Sequence, residues 1–336
     1  MISLIDNRLR WLFASAVLVA LVASTAVACG DDDDDSAATS TATSAATTAA
    51  SSTAQAAAYP MKVTDLLGRE VEIKSKPATV VALSPSAVEY VYAVGGTVVG
   101  RPESAVYPEA VKSVKSTGTS YQPSFEEILQ LKPDLVVADS VIHAQPQLRS
   151  AIEGLGIPVI FAGAETYAQV LQGVELLGKV LDANGKATET VTRIKAAHDA
   201  AKAAVGTTSV SAVVLIAGRD NTLFAAKKTS YPGDILTELG VANPAADGPE
   251  AGQGFPGYTL LAPESLVQYD PDVIFTLTPG PASVPRLSTL IPTIPPFKSL
   301  KAVTTNKVIE IPVDIVLEAP GPRVELAFLA VTAAVK

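Results

Sequence analysis

The sequence predicts an α/β protein made of two related lobes, and three observations support this. Residues 124–137 (SFEEILQLKPDLVV) are similar, without a gap, to residues 262–275 (APESLVQYDPDVIF) in the other half of the chain. Predicted strands alternate with predicted helices, which indicates largely parallel sheets. Residues 167–205 have a helical pattern and include a helix long enough to run between two lobes. A cleft between lobes is where a small molecule is expected to bind.

The two copies of the repeat place Glu126 and Glu264 at equivalent positions. Ser124 has the residue type and spacing of a helix N-cap, which makes Glu126 the second residue of its helix. Pro263 suits the first helical position, so Glu264 is also second. A Pro-Asp pair then ends each helix, and a strand that is apolar on both faces follows. One reading of both glutamates is helix capping alone, since the helix dipole favours a negative charge there.

The remaining elements follow from apolar runs that end at turn or cap residues. In the first half they are a hairpin of residues 62–64 and 71–73, a strand at 79–83, a helix from a Ser86 cap to Ala93, strands at 97–100 and 135–138, a helix at 145–155 and a strand at 158–162. The helical segment contains a helix at 187–205 with His198 inside it, and the second half continues with a strand at 212–217, a helix at 231–239, a strand at 307–311 and a helix at 318–335.

The N-terminus has the pattern of a secretory signal peptide. Two arginines precede an almost wholly apolar or small stretch at residues 11–28, and Ala28 stands directly before Cys29. This resembles the bacterial lipoprotein signal, in which the cysteine is lipidated and becomes the mature N-terminus. We therefore expect a lipoprotein signal peptide over residues 1–28. Ordinary secretion and an uncleaved anchor are the alternatives.

Composition divides the rest of the chain and limits its chemistry. Residues 29–58 run from five aspartates into Ser, Thr and Ala, too polar to form a core, and are expected to be a disordered tether. The N-terminal lobe is placed at 59–166, the helical segment at 167–205 and the C-terminal lobe at 206–336. With a net charge of −9, one cysteine and two histidines, the chain favours neither a nucleic-acid partner nor a metal site, and an internal disulfide is excluded.

Catalytic motifs are missing from the sequence. It contains no glycine-rich phosphate loop, no GxSxG and no HExxH. We therefore expect a protein that is not an enzyme and that needs no cofactor.

Several segments resemble one family of binding proteins. VTDLLGREVEIKSKPATVVALSPSAVEYVYAVG, VVGRPESAVYPEAV and SFEEILQLKPDLVVA are similar to the N-terminal lobe of periplasmic binding proteins for iron-siderophores, haem and cobalamin, which feed ABC importers. YTLLAPESLVQYDPDVIF and GPRVELAFLAV resemble the matching parts of the C-terminal lobe. The resemblance implies the class III architecture: two Rossmann-like lobes with mainly parallel sheets, joined by a single long helix, with the ligand in a shallow cleft.

The resemblance also implies roles for particular residues. Glu126 and Glu264 would dock against arginines of the two permease subunits. Ligand contacts are expected at the ends of strands and in the loops after them, where arginines suit anionic chelates and tyrosines offer flat faces. These candidates are Ser84, Ser86, Arg101, Tyr121, His143, Arg219, Tyr231, Tyr258 and Arg323. Gly118 is followed by Thr119 rather than by the tyrosine ligand of haem-binding relatives, which disfavours haem.

The resulting functional hypothesis is an extracytoplasmic, lipid-anchored, monomeric receptor. It would capture a metal chelate, in the first place a ferric siderophore, and deliver it to the permease dimer of an ABC importer. The alternatives are a receptor for haem, cobalamin or a free metal ion, and a sensor or enzyme on the same scaffold, because a fold does not determine a function.

Overall fold

The computed structural model describes residues 59–218, 222–252, 256–281 and 283–336. Four predictions therefore lie outside the described residues: the signal peptide, the lipidated Cys29, the tether up to residue 58 and the ligand contact of Arg219.

The N-terminal lobe is a parallel sheet with helices on it, preceded by a hairpin. Its elements are β1 (Met61–Thr64), β2 (Glu70–Ile73), β3 (Val80–Ala82), α1 (Pro85–Ala93), β4 (Gly100–Arg101), β5 (Lys115–Ser116), α2 (Phe125–Gln130), β6 (Leu135–Ala138), α3 (Pro146–Glu153) and β7 (Val159–Phe161), with a 3₁₀ turn at Glu109–Ser113. The strand order is β5-β4-β3-β6-β7, and every pairing in this sheet is parallel. β3 and β6 are buried along their whole length, because helices cover both faces.

Two helices follow the first sheet. α4 (Tyr167–Val180) and α5 (Asn184–Val205) pack against each other, and α5 also packs against α1 and against the C-terminal helix. With 22 residues, α5 is about 33 Å long, and it begins three residues before the predicted start. His198 is packed rather than free, with its ring stacked on Tyr167 at 4.6 Å between centroids.

The C-terminal lobe has a mixed sheet. Its elements are β8 (Ala212–Ala217), β9 (Leu223–Ala226), α6 (Tyr231–Glu238), β10 (Tyr258–Leu260), α7 (Pro263–Tyr269), β11 (Val273–Leu277), α8 (Leu287–Leu290), α9 (Lys301–Thr304), β12 (Val308–Glu310), α10 (Val313–Val316) and α11 (Val324–Val335), with 3₁₀ turns at Ile291–Thr293 and Pro295–Phe297. The order is β10-β9-β8-β11-β12. β8, β11 and β12 are parallel, whereas β9 is antiparallel to both its neighbours, β8 and β10. The sequence analysis predicted β8 but neither β9 nor β10.

Three predicted boundaries are wrong. Ser84, not Ser86, caps α1, since its side chain accepts a hydrogen bond from the Ala87 amide. The strand expected at 97–100 pairs only at Gly100–Arg101. The last helix begins at Val324 rather than at residue 318, because the intervening Ala-Pro-Gly-Pro sequence removes backbone donors and disfavours helical dihedrals.

The repeat is confirmed in three dimensions by its aspartates. The Asp134 carboxylate, just before β6, accepts hydrogen bonds from the Ala78 amide and from the amide and hydroxyl of Thr79, just before β3. The Asp272 carboxylate, just before β11, accepts from the amide and hydroxyl of Ser211, just before β8. These hydrogen bonds lower the pKa of both carboxyl groups. Each copy therefore ties its strand to the first strand of its own sheet.

One apolar core runs through both lobes. It includes buried residues of β3 and α1, of α4 and α5, and of β8, β11 and α11. Tyr90 of α1 is fully buried at the junction, where its ring lies close to Gly173 of α4 and to Gly321 before α11. Within the described residues, no helix has the length and apolar character needed to span a bilayer.

Candidate functional site

A cleft lies between the two lobes where the strands of the first sheet end. On the N-terminal side it is lined by Asp139, Val141, Ile142, Ala164 and Glu165, and on the C-terminal side by Ser230, Tyr231, Pro232, Pro256, Tyr258, Val316, Leu317, Glu318 and Pro320. We call this set the interlobe cleft; its volume is about 110 Å³. Asp139 directly follows β6, so the cleft forms at the carboxyl ends of strands, as the doubly wound topology predicts.

Asp139 organises the floor of the N-terminal side. Its buried carboxylate accepts a hydrogen bond from the Ser86 hydroxyl at 2.7 Å and from the Val141 and Ile142 amides at 2.7 and 2.9 Å. The hydroxyls of Ser84 and Ser86 are 2.8 Å apart, and both serines are buried. These two candidates therefore sit behind Asp139, and their ligand-binding role stays a prediction.

His143 stabilises the loop that follows Asp139. Its Nδ1 accepts a hydrogen bond from the Asp139 amide at 2.8 Å, which leaves Nε2 to donate to the Ser120 carbonyl at 2.8 Å. Burial lowers the pKa of His143 and keeps the ring neutral. Both ring nitrogens are occupied by backbone groups, so the imidazole does not face the interlobe cleft.

Arg101 and Tyr121 are not among the residues that line the cleft. The Arg101 guanidinium donates to the carbonyls of Pro102, Glu103 and Lys112 and so holds its own loop. Tyr121 is 70% exposed. A contact between either residue and a ligand stays a prediction.

Tyr231 and Tyr258 are the two predicted ligand residues that the structure brings together in the cleft lining. Tyr231 is the first residue of α6, whose N-cap is Ser230, and Tyr258 begins β10. Both side chains are buried, and burial raises both pKa values well above the ordinary value for tyrosine. The two tyrosines therefore remain neutral and offer an apolar face with one hydroxyl each.

Arg323 is engaged at the junction of the lobes instead of lining the cleft. Its guanidinium donates to the Glu89 carboxylate at 2.8 and 2.6 Å and to Asp314 at 3.0 Å. It also lies 4.5 Å from the centre of the Tyr107 ring. Contact with a ligand would require Arg323 to exchange these partners.

Three carboxylates of the cleft were missed by the sequence analysis: Asp139, Glu165 and Glu318. Asp139 and Glu165 stand just beyond two predicted strands. The expectation that ligand contacts lie at the ends of strands, which led to the choice of arginines and tyrosines, could therefore have identified them as well. Burial, followed by the charge of Asp139, raises the pKa of Glu165, while burial and Asp314 raise that of Glu318. In the described ranges, no three His, Cys, Asp or Glu side chains are grouped closely enough to hold a metal ion.

The paired glutamates occupy equivalent places on the two lobes. Glu126 and Glu264 are each the second residue of an exposed short helix, as predicted. The side chain of the Ser124 cap accepts from the Glu127 amide, while Glu127 itself pairs with Lys115 and does not complete a capping box. Their docking role stays a prediction.

Comparison with known proteins agrees with this geometry. YvrC, an uncharacterized ABC transporter substrate-binding lipoprotein of Bacillus subtilis, is 27% identical over 226 residues, which cover 65% of this chain and 69% of YvrC. The vitamin B12-binding protein of Salmonella typhimurium is 30% identical over 168 residues, 50% of this chain and 62% of that protein. The apo structure of the periplasmic heme-binding protein RhuT from Roseiflexus sp. RS-1 matches with a TM-score of 0.64 and 25% identity, over 76% of this chain and 97% of RhuT.

The family assignment rests on the length of the match. Residues 80–315, from β3 to α10, match the family described as periplasmic binding protein. This range includes both sheets, the long helix and most of the residues that line the interlobe cleft. The chain therefore belongs to the periplasmic binding protein family.

Proposed function

We propose that this protein is an extracytoplasmic, lipid-anchored substrate-binding protein that captures a metal chelate in the interlobe cleft and delivers it to the permease of an ABC importer. The observation that carries the proposal is the cleft itself, which lies between two lobes of this family's fold and is lined by residues of both. The relatives named for vitamin B12 and heme support a chelate as the ligand class.

The lining suits a large ligand with a mixed surface. Val141, Ile142, Val316 and Leu317 supply apolar walls, and the two buried tyrosines supply flat faces. At about 110 Å³, the cleft is smaller than the several hundred Å³ of typical ligand pockets. A chelate would therefore be only partly enclosed and would project from the cleft. This is expected for a shallow site from which the ligand is transferred to a partner protein.

Binding rather than catalysis fits the polar groups of the described lining. A catalytic nucleophile needs a base within hydrogen-bond reach. The Ser230 hydroxyl donates to the Lys227 carbonyl, and His143 is held by two backbone groups. Neither residue is placed to activate the other.

Delivery to a permease would use the equivalent faces of α2 and α7. Three residues after each glutamate, on the same face of the helix, stands an aliphatic residue: Leu129, 51% exposed, and Val267, 41% exposed. Each lobe thus presents a carboxylate beside an apolar side chain. Two such faces on one molecule suit a partner that is itself a dimer, and the charge would set orientation and association rate.

Binding of chelates to the full-length protein in detergent tests the proposal. Calorimetric titration with ferric hydroxamate and catecholate siderophores, haemin and cobalamin is expected to reveal at least one ligand of micromolar affinity or better. Leu317→Trp narrows the cleft and should weaken that ligand at least tenfold. Leu329→Trp, on the exposed face of α11, is the matched control and should leave affinity unchanged. Binding to none of these chelates, or equal effects of the two variants, would contradict the proposal.

A further inference from the structure

Two carboxylates in the interlobe cleft have no partner among the residues that the structure describes. Glu165 comes from the N-terminal lobe and Glu318 from the C-terminal lobe, so the ligand would lie between them. Neither side chain makes a hydrogen bond or ion pair with the described residues. Asp139 adds a third negative charge to the same lining, although donors of its own loop and Ser86 already satisfy its oxygens.

Two cations of the described residues close to the cleft, Arg323 and Lys227, are already neutralised. Arg323 is held by Glu89 and Asp314. Lys227, whose carbonyl receives the Ser230 hydroxyl, forms an ion pair with Glu250. Among the described residues that line the cleft, none is a lysine, arginine or histidine. The lining therefore carries a net negative charge.

One tyrosine hydroxyl in the cleft lining is buried. Tyr231 is 4% exposed and lines the cleft, and its hydroxyl has no hydrogen-bond partner of good geometry among the described residues. The Gly321 amide is a neighbouring backbone donor. Buried polar groups nearly always have a partner, so the Tyr231 hydroxyl is available to a polar group of the ligand or to water that the ligand holds.

We propose that the interlobe cleft selects metal chelates of zero or positive net charge and discriminates against polyanionic chelates. The inference rests on the proposed function and narrows its ligand class. A bound chelate would exclude part of the water from the cleft, and charges interact more strongly there than in bulk water. A tris-catecholate complex or a haem with two propionates would face Glu165 and Glu318 with like charge, whereas a ferric hydroxamate or a corrinoid would not. A cationic chelate would gain the two carboxylates as partners.

Chelates that differ in charge provide the test. The full-length protein in detergent is titrated at pH 7.5 and low salt with ferrioxamine B, ferrichrome and aquocobalamin, and in parallel with a ferric tris-catecholate and haemin. A further matched pair is cyanocobalamin and its monocarboxylic acid derivative, in which a single amide becomes a carboxylate. Within the type of chelate that binds best, we expect the neutral or cationic member to bind at least tenfold more tightly than the anionic member. High salt should reduce this difference in affinity.

Variants assign the preference to the two carboxylates. The double variant Glu165→Gln, Glu318→Gln should reduce the ratio of the affinities for neutral and anionic chelates at least fivefold. The control is Glu72→Gln with Glu175→Gln, which removes two exposed charges outside the cleft lining and should leave the preference unchanged. Equal effects of the two double variants would overturn the inference.

The possible failures are distinguishable. If no chelate binds, the proposed function fails, and the inference fails with it. If the anionic chelates bind tenfold tighter than the neutral ones, the chelate function stands and the inference about charge is overturned.

Discussion

Arg323 donates two hydrogen bonds to Glu89, at 2.8 and 2.6 Å, and so joins the loop before α11 to α1 across the junction of the two lobes. Glu89 is almost completely buried, and burial raises its pKa to about 7 in spite of the opposing effect of Arg323. A carboxyl group with a raised pKa binds its proton more tightly in the folded than in the unfolded chain. Protonated Glu89 therefore stabilises the folded protein at pH values below the ordinary pKa of a glutamate. This contribution is lost as the pH rises to about 7.

Replacement of Glu89 by glutamine should remove this pH dependence. The expected loss of stability in the wild type between pH 4.5 and 7 from this group is at most roughly 3 kcal/mol. Denaturant unfolding at several pH values is expected to show a smaller decline for Glu89→Gln, with Glu72→Gln as an exposed control that follows the wild type. Parallel pH profiles for wild type and Glu89→Gln would show that the titration of Glu89 does not contribute to the pH dependence of stability.

Gly173 allows α4 to approach the ring of Tyr90 at the junction. A Cβ atom at this position would lie 2.7 Å from Tyr90 Cε1, closer than real contacts allow. Gly173→Ala should therefore destabilise the protein by about 1–3 kcal/mol through overpacking. Gly185→Ala, near the start of α5 with open space around it, should instead be neutral or stabilise by up to about 1 kcal/mol. Thermal unfolding of both variants checks this, and equal stabilities would contradict it.

Ligand binding should move the lobes only slightly. α5 packs against elements of both lobes, and a single apolar core continues through the junction. A wide hinge closure would bend this helix and open that core, at the cost of backbone hydrogen bonds and buried apolar surface. Small-angle scattering with and without the bound chelate is expected to show nearly equal radii of gyration. A large decrease on binding would contradict the prediction.

Glu126 and Glu264 should matter for transport but not for folding or ligand affinity. Alanine at either position should cost only a few tenths of a kcal/mol, the scale of an exposed helix-dipole interaction. Uptake through the cognate importer should fall for each of Glu126→Lys and Glu264→Lys and further for the double variant. Leu129→Ser and Val267→Ser should reduce uptake less. Glu175→Lys on α4 is the control for charge reversal at an exposed position. Normal uptake by the Glu126→Lys, Glu264→Lys double variant would show that both glutamates act only as helix caps.

Cys29 should determine where the protein is found in a bacterial host. If the cysteine is lipidated, wild type sediments with membranes and Cys29→Ser moves to the soluble fraction. Metabolic labelling with a clickable fatty acid provides a second readout, because only the wild type should incorporate it. A membrane-bound, unlabelled Cys29→Ser protein would point to the uncleaved signal segment as the anchor.

Much of the fold could be predicted because its signals are local. The Ser124 cap and Pro263 place Glu126 and Glu264 correctly, and the strand expected at 212–217 matches β8. A cap, a proline or an apolar run acts within one or two turns of its own position. The sequence therefore predicted the alternation of strands and helices, the repeat and the long helix.

The candidate site could be predicted only in part, because distant partners decide which side chains face it. Ser84 and Ser86 both have the residue type of an N-cap. Which of them caps α1 depends on Asp139, 53 positions further along the chain, which accepts a hydrogen bond from the Ser86 hydroxyl. The sequence predicted Arg323 as a ligand contact, but in the structure its guanidinium is bound by Glu89, which is 234 positions away in the chain. Nothing local distinguishes a free arginine from a paired one.

By itself the sequence determined the family, the order of most elements and the equivalence of the two glutamates, since each depends on short-range pattern or on segments that repeat. Only the tertiary structure decided that β9 pairs antiparallel with β8, that Arg323 joins the lobes, and that Glu165 and Glu318 line the same cleft. The physical reason is that pairing, burial and charge depend on which groups become neighbours after folding, and residues far apart in the chain become neighbours only through packing.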